Sequence, residues 1–173
     1  AKSAGAGVIF CPVSINYAQL IVEAAAAQGF EGSLLGSDTL DSNMVVEAAK
    51  GKDVDVKITT FYQEGGSPEF DEGIKAWLNE DATAMTNNGG NDTIAAVTAM
   101  GYDAYYVALE ALKAAGSTDP AAVKAALPGV TYTGVTGDIA FDDIGDAIRD
   151  TAYIKVADTA NNAWALETMQ KAG

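Results

Sequence analysis

The stretch that most constrains this chain is residues 7–41, in which two short apolar runs flank one amphipathic segment. Residues 7–11 carry β-branched and aromatic side chains and end at a proline, which is typical of a buried strand. Apolar residues then recur at helical spacing over 16–28, and a glycine ends the pattern. Residues 33–36 begin a second apolar run. A strand, a helix and a parallel strand form a βαβ unit, so the sequence predicts an α/β fold.

Polar residues follow the predicted carboxyl ends of both strands. Ser14 comes just after the first strand, and Asp38 comes just after the second. Ligands of open α/β sheets bind in the crevice at this edge, so we expect Ser14 and Asp38 to face the same crevice. Each residue also has a structural alternative. Ser14 could cap the following helix, and Asp38 could form a turn or a cap. Asp41 could cap the next helix or contact the ligand.

Charge and composition exclude several partners. The chain has 24 acidic and 10 basic residues, for a formal net charge of −14. Such a field repels nucleic-acid backbones and anionic lipid, so we expect neither as a partner. No apolar run approaches the ~20 residues that a membrane span needs. A hydrophobic content of 49% favours a packed core over disorder.

The catalytic signatures of common enzyme classes are absent. The sequence contains no His and one Cys, so it offers no Ser-His-Asp triad, no Cys-His pair and no His-ligated or Cys-rich metal site. No phosphate-binding or dinucleotide-binding glycine motif is present. Residues 142–146 resemble a calcium loop but lack its spacing and distal Glu, and are interpreted as a turn. We therefore predict no catalytic residue, no metal and no cofactor.

The rest of the chain alternates predicted strands and helices. Residues 54–59 alternate apolar and polar side chains, which predicts a strand with one exposed face, near a sheet edge. A glycine-rich crossing precedes a helix over 67–80, in which Pro68 takes the first turn. Residues 136–141 predict another strand. Residues 151–156 and 163–166 predict a terminal hairpin.

A long helix is predicted from Asp92, as its N-cap, to Gly116. Its expected apolar stripe, which would pack against a sheet, is formed by Ile94, Val97, Met100, Tyr105, Leu109 and Leu112.

Five segments together resemble a known family. In chain order they are GVIFCPVSINYAQLIVEAAAAQG, LLGSDTLDSN, FYQEGGSPEF, MGYDAYYVALEALKAAGSTDP and VTGDIAFDDIGD, the last standing before TAYIKV. This order resembles the C-terminal half of a type I periplasmic solute-binding protein, in the branched-chain amino-acid (Leu/Ile/Val) receptor family of ABC importers. The resemblance implies α/β, three-layer αβα lobes with a parallel sheet. A family member has two such lobes joined by three crossings and is about twice as long, so it implies an incomplete half here.

The resemblance also implies a domain organisation. The predicted parts are 1–61 in the C-terminal lobe, 62–66 as a hinge crossing, 67–146 in the N-terminal lobe, and 147–173 returning to the C-terminal lobe. The apolar stripes of the two longest N-lobe helices then lack a sheet to cover them. A missing N-terminal half, a swapped partner chain or a rearranged fold is expected to supply that cover.

The ligand-binding residues implied by the resemblance lie on the strand-end loops and at the hinge. They are Ser14, Asn16, Tyr17, Asp38, Thr39 and Phe61. In the family, the loop at Asp38 supplies a carboxylate that holds the α-ammonium of the ligand. The family often has an aromatic residue near Ser14, and Tyr17 comes three positions later. Packing on its own helix is the alternative for Tyr17, and packing at the hinge is the alternative for Phe61.

The resemblance implies a non-enzymatic receptor that binds a branched-chain or other hydrophobic amino acid in the cleft between its lobes. Its partner would be the membrane permease of an ABC importer. Its location would be periplasmic or extracellular, with a lipoprotein anchor as one full-length form. The alternatives are a binding protein for another small ligand (an amide, an aromatic acid or a peptide), a flavodoxin-like regulatory or enzymatic domain, and an inactive structural fragment.

Overall fold

A computed structural model of the chain describes residues 1–171. Its helices are α1 (Ile15–Ala27), α2 (Asn43–Ala49), α3 (Pro68–Glu80), α4 (Ala82–Asn87), α5 (Ala96–Ala115) and α6 (Pro120–Ala126). Its strands are β1 (Val8–Phe10), β2 (Ser33–Gly36), β3 (Asp55–Thr60), β4 (Tyr132–Gly134), β5 (Gly137–Phe141), β6 (Ala147–Ile148), β7 (Thr151–Asp158) and β8 (Ala163–Lys171). Short 3-10 turns occur at Lys2–Ala4, Asp38–Leu40 and Leu127–Gly129. Residues 172 and 173, the end of the predicted return segment, lie outside the described residues.

The main sheet has five strands in the order β1-β2-β3-β7-β8. Strands β1, β2 and β3 are parallel, and β7 and β8 join antiparallel. Helices α1 and α2 connect the parallel strands and share a core with them, which includes Val22, Leu34, Val46 and Ile58. The predicted βαβ unit and the α/β class are therefore confirmed.

Strand β3 lies at the centre of this sheet, so the prediction that it lies near an edge is wrong. Val56 and Ile58 are buried on the face that carries the helices. Lys57 points to the opposite face, where it forms an ion pair with Glu167 of β8. The alternation arises because one face of this central strand is open. A polar face does not show whether a strand has neighbouring strands on both of its edges, so the alternation did not distinguish a central strand from an edge strand.

The terminal hairpin is confirmed and is longer than predicted. Strands β7 and β8 pair along their whole length, with an irregularity between Ile154 and Lys155. Strand β7 also pairs with β3, which returns the chain to the main sheet after residue 150. Trp164 of β8 is buried in the core of this sheet, and its indole N–H donates to the carbonyl of Ser42 at 3.2 Å.

The segment between β3 and β7 forms hydrophobic clusters that are separate from the core of the main sheet. Strands β4, β5 and β6 form a small antiparallel sheet. One cluster joins Tyr62, Phe70 and Ile94 to the start of α5, and another joins Val107 of α5 to Ile139 of β5. Helix α5 thus connects the two clusters.

Two expectations for α5 are wrong. The helix begins at Ala96, four residues after the predicted cap Asp92. Its buried face consists of Ala96, Ala99, Asp103, Val107 and Ala111. Of the predicted stripe, Val97 and Tyr105 are 55% and 61% exposed. The small alanine side chains allow close approach of the neighbouring elements, so they form the packed face although the larger residues dominate the apolar pattern.

Large apolar side chains remain uncovered on the opposite side of the main sheet. Val8 and Phe10 are 55% and 63% exposed, on the face of β1 away from α1 and α2.

None of the helices within residues 1–171 combines the length and the hydropathy required to cross a membrane.

Candidate functional site

The loops that follow β1 and β2 meet at the carboxyl edge of the main sheet. The Thr39 hydroxyl lies 2.9 Å from the Val13 carbonyl, to which it donates, and 2.9 Å from the Ser37 hydroxyl. Since Val13 directly precedes Ser14 and Thr39 directly follows Asp38, these bonds bring the two predicted ligand loops together. The geometry follows from the parallel pairing of β1 and β2, which aligns their carboxyl ends.

Asp38 begins the 3-10 turn Asp38–Leu40 and is partly exposed. Within residues 1–171, none of the hydrogen bonds or ion pairs involves its carboxylate oxygens. Its backbone carbonyl accepts from the Asp41 amide at 3.0 Å, which closes the turn. The turn is therefore fixed through the backbone while the carboxylate is left available to solvent or a ligand.

The residues of the first predicted loop lie on or before the first turn of α1. Ser14 occupies the N-cap position of α1, but its side chain makes no capping hydrogen bond. Asn16 and Tyr17 are exposed, and Tyr17 is 65% accessible. The alternatives of side-chain capping by Ser14 and of packing by Tyr17 are therefore not observed.

Asp41 has a role that the sequence did not indicate. Its side chain is buried, and one carboxylate oxygen accepts from the Thr60 hydroxyl at 3.1 Å, the Ala96 amide at 3.0 Å and the Lys155 ammonium at 3.1 Å. The cap of α2 is Ser42, whose hydroxyl accepts from the Met44 amide at 3.3 Å. Asp41 thus joins β3, β7 and α5 at one point, and it does not cap α2.

Phe61 lies at a different place from the strand-end loops. It lines a cleft of about 870 Å³ formed mainly by residues 131–140 and 148–153, and none of residues 1–60 contributes to the lining. The Arg149 guanidinium stands 5.4 Å from the centre of the Phe61 ring. The same guanidinium donates to the Thr136 carbonyl at 3.1 Å and to the Thr136 hydroxyl at 3.0 Å. The structure therefore does not gather all six predicted site residues into one cavity.

A second cavity, of about 350 Å³, separates α1 and α2 from the loop before α5. Its lining includes Ile15, Asn43, Asn88, Thr93 and Trp164. The Asn43 amide nitrogen donates to the Thr93 hydroxyl at 3.0 Å. The space borders the predicted ligand loops without including Asp38.

The crossing after β3 is fixed by a buried tyrosine and aspartate. The Tyr62 hydroxyl donates to Asp71 at 2.6 Å and accepts from the Ser67 amide at 3.2 Å. The other Asp71 oxygen accepts from the Gly65 amide at 2.7 Å. Burial, assisted by the bond to Asp71, raises the pKa of Tyr62 above its ordinary value. Together these contacts hold the chain where it leaves the main sheet.

The metal-ligating residue types and the single thiol of the described part of the chain are arranged as follows. No three His, Cys, Asp or Glu side chains among residues 1–171 are arranged to hold a metal ion. Cys11 is buried in the core, and burial raises the pKa of its thiol, which keeps the sulfur in its less reactive form.

Solved structures share this fold. They include a leucine binding protein, LivK, from Thermotoga maritima (24% identity, TM-score 0.76, 98% of this chain and 46% of that chain). They also include the branched-chain amino acid substrate binding protein LivJ from Streptococcus pneumoniae in complex with isoleucine (19%, 0.65, 95% and 44%). A third is an ABC transporter solute binding protein from R. palustris in complex with benzoate (15%, 0.71, 99% and 45%). This chain spans less than half of the length of each. A comparison with curated proteins gives no match.

The fold and the sequence agree on one family. The main sheet with its parallel strands and flanking helices matches the type I binding-protein fold of these structures over part of their length, as the sequence predicted. A family model described as "Periplasmic binding protein" matches residues 1–161. The chain therefore belongs to the periplasmic binding protein family.

Proposed function

We propose that this chain is part of the solute-binding receptor of an ABC importer, and that the receptor binds a branched-chain or other hydrophobic amino acid. Residues 1–61 and 147–171 would belong to one lobe, residues 67–146 to the other, and the ligand would lie between them. The receptor would work outside the cytoplasm and deliver its ligand to a membrane permease. It would bind and release the ligand without chemical turnover.

The observation that carries the proposal is the state of the Asp38 carboxylate. It lies at the carboxyl edge of a parallel sheet, on a turn fixed by its backbone, and it takes part in none of the hydrogen bonds within residues 1–171. A partly exposed carboxylate in that position is suited to an ammonium group, because a charge-assisted hydrogen bond contributes about 1.5–3 kcal/mol.

The same carboxylate favours amino acids over simple acids. The related proteins include one crystallised with isoleucine and one crystallised with benzoate. Benzoate has no ammonium group, so Asp38 would face its carboxylate or its ring without a compensating cation. An anionic ligand of that kind would be repelled, and an α-amino acid would be attracted.

The test compares leucine with 4-methylpentanoate, which is leucine without its amino group, in the full-length protein that contains this chain. Isothermal titration should detect leucine, isoleucine or valine, and should detect 4-methylpentanoate and benzoate weakly or not at all. Asp38→Asn should weaken amino-acid binding about ten- to a hundredfold, which corresponds to the loss of one charge-assisted bond.

The matched control is Asp143→Asn, which removes the same charge from an exposed turn. It should leave the affinity unchanged. An equal loss in both variants would indicate that the general acidic field attracts the ligand. Preferential binding of benzoate would assign the protein to aromatic acids, and binding of none of these compounds would refute the proposed ligand class.

A further inference from the structure

We propose that Asp41 is the positioning residue of the Asp38 turn: it anchors the turn to both sides of the molecule and thereby sets the ligand affinity. This inference rests on the proposed function for its effect on affinity. Its structural part concerns how residues 37–42 are held in place and can be tested without a ligand.

The geometry of Asp41 supports an anchor. Asp41 directly follows the 3-10 turn Asp38–Leu40, and the residue is buried with 5% of its surface exposed. A single oxygen accepts from Thr60, at the end of β3, and from Lys155, in the middle of β7. Both donors belong to the main sheet, so the turn is held against the sheet at its carboxyl edge.

The third bond reaches outside the main sheet. The Ala96 amide at the start of α5 donates to the same Asp41 oxygen at 3.0 Å. Helix α5 belongs to the segment that the proposed function places in the other lobe. The turn that carries Asp38 is therefore bonded to elements on both sides of the proposed cleft.

The buried ion pair makes this anchor sensitive to substitution. Lys155 is 3% exposed, and among residues 1–171 its ammonium has one hydrogen-bond partner, Asp41. A buried ammonium without a counter-ion is strongly destabilising. Replacing Asp41 alone would remove the anchor and also leave the Lys155 ammonium unpaired, so the two effects could not be separated. The test therefore removes both charges together.

The test uses the Asp41→Ala/Lys155→Met and Asp41→Asn/Lys155→Met double variants of the full-length protein. The first removes all three bonds, and the second keeps a side-chain oxygen that can still accept from Thr60 or Ala96. Hydrogen–deuterium exchange is measured on the unliganded proteins. The reporters are the backbone amides of residues 40 and 41, which donate within the turn at 3.0 Å each. Each exchange rate is compared with the intrinsic rate of the same variant sequence.

We expect these two amides to exchange at least tenfold faster in the Ala/Met variant than in the parent protein. The amides of α1 should be unchanged. In the Asn/Met variant the two amides should exchange more slowly than in the Ala/Met variant. Lys57→Met/Glu167→Gln is the control, because it removes an ion pair from the opposite face of the same sheet. It should not change exchange at residues 37–42. Unchanged exchange of the amides of residues 40 and 41 in both folded double variants would overturn the proposal. If Ala/Met does not fold, unchanged exchange in Asn/Met alone would do so.

Leucine affinity adds the second readout. A positioning role predicts at least a tenfold loss of affinity in Ala/Met, with the Asn/Met variant partly rescued. A folded Ala/Met variant with faster exchange and unchanged affinity would refute positioning and leave Asp41 a purely structural residue. If the parent protein binds no amino acid, the proposed ligand is wrong, and the exchange result still decides whether Asp41 anchors the turn.

Discussion

Asp103→Asn should destabilise the protein strongly, because Asp103 is a buried carboxylate with three donors. It lies on the packed face of α5 and is 1% exposed. One oxygen accepts from the Val135 amide at 2.9 Å, and the other accepts from the Thr136 amide at 2.8 Å and the Thr136 hydroxyl at 2.6 Å. These bonds fasten the turn between β4 and β5 to the helix.

The magnitude follows from what an asparagine can replace. Its oxygen could keep both bonds from Thr136, but its NH₂ group would then face the Val135 amide, so that two donors oppose each other. The loss of one charge-assisted bond, with a donor left unpaired, should lower the free energy of unfolding by about 2–4 kcal/mol.

The assay is urea unfolding followed by circular dichroism, with Asp119→Asn as the matched control. Asp119 caps α6, where its carboxylate accepts from the Ala121 and Ala122 amides at 3.0 Å each. Asparagine caps a helix about as well as aspartate does, so this variant should change stability by less than about 0.5 kcal/mol. A similarly small effect of Asp103→Asn would refute the argument, because it would show that the buried bonds contribute little.

Four further outcomes are expected. Gly134→Ala should cost about 1–3 kcal/mol in the same urea assay, because its Cβ would overlap the Asp103 carboxylate. Gly101→Ala, in the middle of α5 with open space around it, should stabilise by about 0.5–1 kcal/mol. The raised pKa of Tyr62 means that the native state keeps a proton that the unfolded chain loses above about pH 10, so stability falls as pH rises there. Tyr62→Phe should make the fall of the thermal midpoint between about pH 9 and 11 shallower. Finally, the isolated chain should bind a hydrophobic dye and self-associate, because large apolar side chains such as Phe10 are exposed. A monomeric chain that does not bind the dye would contradict this expectation.

Local sequence patterns correctly predicted the secondary-structure elements that are determined by neighbouring residues in the chain. Helix α1 and strand β2 follow from apolar periodicity and from Gly29, which adopts the left-handed conformation at the end of the helix. The order strand, helix, strand then fixes parallel pairing, and parallel pairing brings the loops at Ser14 and Asp38 to one edge. That much of the candidate site is accessible to sequence reasoning.

The start of α5 was mispredicted because tertiary contacts override a local capping signal. Asp92 is a good cap residue in a loop, yet the Ile94 amide donates to the Glu64 carboxylate at 3.2 Å, and the Ile94 side chain is buried with Tyr62 and Phe70. These contacts hold the residues before Ala96 outside the helix. A partner 30 positions away in the chain is invisible to a cap motif.

Asp41 could not be identified from sequence for the same reason. Its partners Thr60, Ala96 and Lys155 lie 19, 55 and 114 positions away. One signal was available: Lys155 interrupts an apolar strand, and a lysine buried in a strand requires a counter-ion. The sequence contains 24 candidate carboxylates, so that signal predicts that a partner exists without identifying it.

The uncovered apolar surfaces indicate how this fold is completed. Val8 and Phe10 lie on the sheet face away from α1 and α2, and Val97, Tyr102 and Tyr105 lie on the outer side of α5. A three-layer lobe has helices on both faces of its sheet, and each large side chain covered contributes about 1.5–3 kcal/mol. The solved relatives have more than twice this length, and this chain covers 46% of the leucine binding protein. We therefore expect the stability of this fold to depend on sequence that covers these two surfaces in the longer protein.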